Sequence, residues 1–96
     1  MRIMRVVGVT ISTIKDEKLD GKKLLVVRET DETGKEHGQP LVAVDVVDAG
    51  VGDLVLIAQG SSARQTEFTD QRPIDATIMA VIDSLEVDGN VTFRKE

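Results

Sequence analysis

Residues 41–59 read LVAVDVV, then DAGVGD, then LVLIAQ. Valine and isoleucine fit a pleated, half-buried surface, and glycine reaches the positive φ values that tight reversals demand. Two such runs around a small-residue turn predict a hairpin of residues 41–47 and 54–59, with Gly50 and Gly52 in the reversal. A chain built from short runs of this kind is restricted to sheets.

The rest of the chain follows the same grammar. Between residues 3 and 13, Ile3, Val7, Val9 and Ile11 are apolar at alternate positions, and Gly8 on the other face predicts a bend or bulge in one long strand. LLVVRE at residues 24–29 predicts a second strand, and the polar stretch TDETGKEHGQP at residues 30–40 a surface loop. Residues 73–87, PIDATIMAVIDSLEV, fit a helical stripe through Ile74, Ile78, Val81, Ile82 and Leu85 and also a strand face. Their β-branched density favours the strand. Asn90-Val91-Thr92 reads as a turn entering a further strand. Ser61 or Ser62 can cap a single helical turn over Ala63, Arg64 and Gln65, because a serine hydroxyl accepts the unpaired amide hydrogens of a first turn. Five or six short strands with one short helix imply an all-β fold, a small closed barrel of the oligonucleotide-binding (OB-like) type, since closure removes exposed edges.

Composition narrows what such a barrel can do. The 96 residues form one domain, and a domain this small buries only about 60% of the surface of its unfolded chain, so self-association would help it. Only Phe68 and Phe93 are aromatic, which leaves the core to Val, Ile, Leu and Ala. Seventeen acids against twelve bases give a net charge of −5, which repels nucleic-acid backbones and acidic lipid surfaces. An OB module for nucleic acid needs a basic groove and aromatic stacking platforms, and neither is present; an OB-fold binding module for a small ligand is the remaining alternative class. There is no cysteine, so no disulfide, thiolate metal site or cysteine nucleophile. The first eleven residues, MRIMRVVGVTI, read as a strand rather than a signal peptide, and no apolar run approaches membrane-helix length, so a soluble, cytosolic protein without a membrane partner is expected.

Candidate catalytic groups do not assemble in the sequence. His37 is the only histidine and lies in a polar stretch. The serines of Gly60-Ser61-Ser62-Ala63-Arg64 lack the Gly-x-Ser-x-Gly spacing of a nucleophile elbow. Asp48 and Asp53 flank the glycine turn without the ligand spacing of a calcium loop. No cofactor and no metal is expected. On the residues alone, the Gly60 to Arg64 element is a strand-to-helix cap, and Arg64 is either solvated or, within a subunit contact, in need of a carboxylate.

Several elements together carry a resemblance: Val7-Gly8-Val9, the lysine-led turn at residues 15–21, Lys23-Leu24-Leu25-Val26-Val27, Val42-Ala43-Val44-Asp45, Ala49-Gly50-Val51-Gly52, Val55-Leu56, Gly60-Ser61-Ser62-Ala63-Arg64, and Pro73-Ile74-Asp75-Ala76 with Val81-Ile82-Asp83. In this order, over nearly the whole chain, they resemble the bacterial microcompartment vertex proteins of carboxysome, ethanolamine and propanediol shells. The tail GNVTFRKE is similar to the ethanolamine-type members. The resemblance implies an OB-like barrel, a homopentamer with a narrow opening on its five-fold axis, hexameric shell proteins as partners, and a place in a shell in the bacterial cytoplasm. It carries over no catalytic residue. It implies that Gly60, Ser61, Ser62 and Ala63 line the axis, and that Arg64 ties subunits through Asp45 or Asp75. The chain departs from the family pattern at Asp48, where the turn usually has glycine. A short carboxylate side chain tolerates left-handed backbone better than most, so the turn is expected to survive with altered local charge.

Overall fold

Burial alternates with period two along the first strands, as a sheet with one covered face requires. The computed structural model describes residues 1–11, 23–60 and 75–96. In β1 (Arg2–Val9) Met4 and Val6 are buried, and in β2 (Lys23–Thr30) Leu25 and Val27 are buried. They meet β3 (Glu36–Asp45), β4 (Leu54–Gln59) and β5 (Ala76–Val81), which add Ala43, Val55, Ile57 and Ile78 to one continuous core. A further pair, β6 (Ser84–Val87) and β7 (Asn90–Arg94), forms a separate two-stranded sheet.

The first five strands close into a barrel in the order β1-β2-β3-β5-β4, and the ring shuts where β1 pairs with β4 through Arg2 with Ile57 and Arg5 with Leu54. Every pairing is antiparallel except β3 with β5, which run parallel through Val44 with Thr77 and Asp45 with Ile78. This is the expected all-β closed barrel. The short helix expected near residues 61–65 lies outside the described residues.

The structure differs from the sequence reading at four places, each for an identifiable reason. Residues 41–59 are not a hairpin: β5 stands between β3 and β4, and both edges of β4 are taken, by β1 and β5. The glycine turn is instead a crossing over the end of the barrel, pinned to β1 where Gly52 N donates to Val6 O at 2.8 Å and Val6 N to Asp53 O at 2.9 Å. The loop expected over residues 30–40 shrinks to residues 31–35. There the Asp31 carboxylate accepts from Thr33 N at 2.8 Å, Thr33 Oγ1 at 2.6 Å and Lys35 N at 3.1 Å. His37 and Pro40 belong to β3, because a ladder of backbone hydrogen bonds forms without apolar side chains where both faces meet water.

The apolar stripe Ile3, Val7, Val9 and Ile11 is not the core face of β1: Met4 and Val6 point inward, while Val7, Val9 and Ile11 are exposed. The expected irregularity at Gly8 is present as a register shift between Val6 and Gly8. The strand over residues 73–87 is two strands, broken at Ile82, whose amide donates to Leu54 O at 2.8 Å. The turn into β7 uses Asp88 and Gly89, both at positive φ (52° and 80°), as a two-residue hairpin connection of this hand requires.

Ile57 is fully buried in the strand that shuts the barrel. Ile57→Ala is expected to destabilise the fold by about 2–5 kcal/mol, read as a lower denaturation midpoint at unchanged slope. A loss under about 1 kcal/mol would mean that the barrel interior is not close-packed there.

Candidate functional site

The residues singled out by sequence fall at the two connections on either side of β4. On the far side, Gly60 ends β4 at positive φ (63°), exposed, and among the described residues no atom lies within 4 Å of where a Cβ would sit. Its amide donates to Asp75 O at 2.8 Å, one step beyond the pair Gln59 with Ala76. The chain thus departs from the barrel at Gly60 and returns beside it at Asp75. Ser61, Ser62, Ala63 and Arg64 lie outside the described residues, as does any contact they make with Asp45 or Asp75.

On the near side, Asp45 ends β3 with its side chain buried, and Lys23 is its charge partner. The Lys23 ammonium stands 3.1 Å from Asp45 Oδ2, 3.0 Å from Asp48 Oδ1 and 2.8 Å from Ala49 O. Asp45 Oδ1 accepts from Val47 N at 3.0 Å, which turns the chain out of the strand. A carboxylate this buried requires such compensation, since a charge removed from water without a partner is strongly destabilising. The lysine is positioned by simple register: Lys23 pairs directly with Asp45 across β2 and β3. Asp48, with Asp45 second, holds the Lys23 ammonium above the ordinary lysine pKa of 10.5, against the smaller opposing effect of burial.

Asp48 adopts φ 60°, the left-handed conformation that its short side chain was expected to tolerate. Of the two glycines in the turn only Gly52 (φ 96°) needs positive φ. Gly50 serves differently: its amide donates to Asp53 Oδ2 at 2.9 Å and its carbonyl accepts from Asp53 N at 3.0 Å, closing a tight turn.

Two residues that sequence reasoning passed over complete the arrangement. Arg5 donates through Nη1 to Gly52 O at 2.8 Å and through Nη2 to Gly34 O at 3.0 Å. Its Nε lies 3.6 Å from Glu36 Oε2, and its guanidinium carbon lies 5.9 Å from the centre of the Phe93 ring. A Cβ at Gly34 would come 2.7 Å from Arg5 Nη2 and displace the guanidinium, while the φ of 87° is what favours glycine there. Lys23 and Arg5 therefore clamp the crossing from opposite ends. Neither carries a local signal: a basic residue on an outward strand position is ordinary until its partners, distant in sequence, are known. Among the described residues no group of three or more histidine, cysteine, aspartate or glutamate side chains converges to hold a metal ion. The arrangement is one of charge pairs fixing loops.

The family described as ethanolamine utilisation protein EutN/carboxysome matches residues 1–83. The carboxysome shell vertex protein CcmL of Synechococcus elongatus is 42% identical over 95 residues, spanning 99% of this chain and 96% of that one. The solved structure of Gloeobacter violaceus CcmL, 38% identical, superposes with a TM-score of 0.91 over 99% of this chain and 98% of that one. The GrpN pentameric microcompartment shell protein from Rhodospirillum rubrum, 40% identical, superposes with a TM-score of 0.80 over 91% of this chain and 99% of that one.

The Lys23 cluster predicts a signed pH dependence. A lysine whose pKa is raised on folding contributes stability that is fully present below its unfolded value and is lost as pH rises through the folded value. Thermal unfolding scans from neutral pH upward should show a loss of stability above pH 10.5 that is smaller in Asp48→Gly, which removes the leading cause of the shift. Identical alkaline limbs in the two proteins would show that Asp48 does not hold the lysine.

Proposed function

The chain belongs to the ethanolamine utilisation protein EutN/carboxysome family, and from that premise we propose that it is a structural shell protein whose homopentamer caps a vertex of a bacterial microcompartment. The observation that carries this reading is its likeness, across nearly the whole chain, to a pentameric shell protein and to a shell vertex protein. Five-fold closure asks each subunit for two different faces, a heterologous contact that makes a ring when the rotation closes. A rigid barrel with clamped connections suits that role, because a wedge must keep its shape for five copies to return to the start.

In this reading the partners are further copies of the chain and the hexameric proteins of the flat facets, and the shell lies in the bacterial cytoplasm. The protein is not an enzyme: its work is curvature and sealing. Gly60, Ser61, Ser62 and Ala63 lie near the five-fold axis, where repetition around a ring favours small side chains. The backbone hydrogen bond between Gly60 and Asp75 sets both ends of the intervening segment at one place on the barrel, which supports that segment acting as one unit. Arg64 ties neighbouring subunits through a carboxylate. Asp75, at the exposed return point, is the better placed of its two expected partners, because Asp45 is buried and already faces Lys23.

Native mass spectrometry tests the assembly: the expected species has five times the 10.4 kDa chain mass, and a monomer or dimer at micromolar concentration would overturn the reading. Arg64→Ala is expected to shift the population toward smaller species at the same concentration. An unchanged pentamer in that variant would remove Arg64 from the contact.

A further inference from the structure

The two-stranded sheet of β6 and β7 adds no residue to the hydrophobic core and meets the barrel through polar contacts. Thr92 Oγ1 donates to Glu32 O at 2.5 Å, the Arg5 guanidinium lies 5.9 Å from the centre of the Phe93 ring, and the Lys95 ammonium stands 3.7 Å from Asp53 Oδ1. A sheet of two strands is marginal on its own, so these contacts and whatever strengthens them decide how firmly it is held. Between the glycine crossing and residues 93–96 lies a cleft of about 350 Å³, lined by Arg5, Asp53, Phe93, Arg94, Lys95 and Glu96 among others.

The lining is more basic than the chain as a whole, whose net charge is −5. Three bases, Arg5, Arg94 and Lys95, stand against two acids, Asp53 and Glu96, which leaves one positive charge in excess. The cations are only loosely neutralised. Arg5 gives its two short hydrogen bonds to neutral carbonyls, Gly52 O and Gly34 O, and Glu36 is 3.6 Å from its Nε, beyond hydrogen-bond length. Asp53 turns Oδ2 to the Gly50 amide at 2.9 Å, and its approach to Lys95 is long as well. Arg94 is exposed and makes no hydrogen bond or ion pair with any described residue. Cations gathered along a cleft with a low-dielectric wall focus a potential that draws anions. The half-buried Phe93 ring is part of that wall.

We propose that this cleft binds a small organic carboxylate, whose oxygens accept from the basic side chains of the lining and whose carbon chain lies against Phe93. A guanidinium matches a carboxylate with two parallel N–H donors. One excess positive charge suits a monoanion better than a phosphate group, which carries up to about two negative charges at neutral pH. The volume lies at the lower end of the range for ligand pockets, which fits a short carbon chain. Because Arg5 belongs to β1 and Arg94 to β7, an occupant fastens the two-stranded sheet to the barrel. All the lining comes from one chain, so the site stands whether or not the pentameric reading does.

Titration of the wild-type protein with butyrate at low salt, followed by the amide resonances in NMR, tests the site. Saturable shifts are expected at Arg5, Asp53, Phe93 and Arg94, with acetate binding at least about threefold more weakly because it lacks two methylenes to set against the ring. Arg94→Gln is expected to weaken butyrate binding about tenfold, the effect of losing a charge-assisted hydrogen bond. Arg2→Gln, at an exposed arginine of β1 outside the cleft, should leave it unchanged. With butyrate bound, the amides of β6 and β7 should exchange with solvent more slowly than without it. The absence of a saturable shift, equal weakening by Arg2→Gln, or tighter binding of inorganic phosphate than of butyrate overturns the assignment. Butyrate bound with unchanged exchange across β6 and β7 overturns the fastening role.

Discussion

Everything else in the molecule depends on the position of β5. By entering between β3 and β4 it pairs parallel with one and antiparallel with the other, and so leaves β1 and β4 free to meet and shut the barrel. Closure removes the exposed strand edges that would invite uncontrolled pairing. It also creates a topological demand. Because β3 and β4 are neighbours in sequence but not in space, the chain between them must travel across the barrel end, and a free crossing of eight residues would carry unpaired backbone and a buried carboxylate.

The clamps answer that demand. Lys23 pairs with the buried Asp45 and holds Asp48 and the Ala49 carbonyl, Arg5 holds the Gly52 carbonyl, and the β1 backbone binds between them. The second carboxylate on Lys23 is that of Asp48, whose short side chain accepts the left-handed backbone of the turn. Apart from the buried Asp45 carboxylate, which cannot do without Lys23, the charged groups of the clamps are partly exposed, so their worth lies less in net stability than in fixing one conformation of a crossing that the fold cannot avoid. Arg5 extends the same logic through Phe93 to the β6 and β7 hairpin, which lies beyond the stretch matched by the family, residues 1–83.

The strands were legible because β-branched runs have few other uses, and the bulge at Gly8 because glycine inside such a run is otherwise costly. The supposed hairpin over residues 41–59 was not, since turn chemistry announces a reversal without saying which edge the next strand will find occupied. Nor was the extension of β3 through His37 and Pro40, where side chains on neither face are buried and hydropathy is silent. At the site, the left-handed backbone of Asp48 followed from its side-chain chemistry, whereas the pairing of Lys23 with Asp45 required the register of β2 on β3. The functional reading came from the order of many small motifs, none sufficient alone. Physical pattern could identify a barrel without basic or aromatic ligand surfaces and could not by itself say that five of them make a ring.

The hydrogen bond from Gly60 to Asp75 has an evolutionary consequence. Since the chain leaves and rejoins the barrel at adjacent points, the intervening segment can change in length or composition while the register of β4 on β5 stays as it is. Connections anchored in this way are where sequence drift is tolerated and where new properties arise. What lies between the two anchors can thereby be rewritten while the barrel that carries them stays as it is.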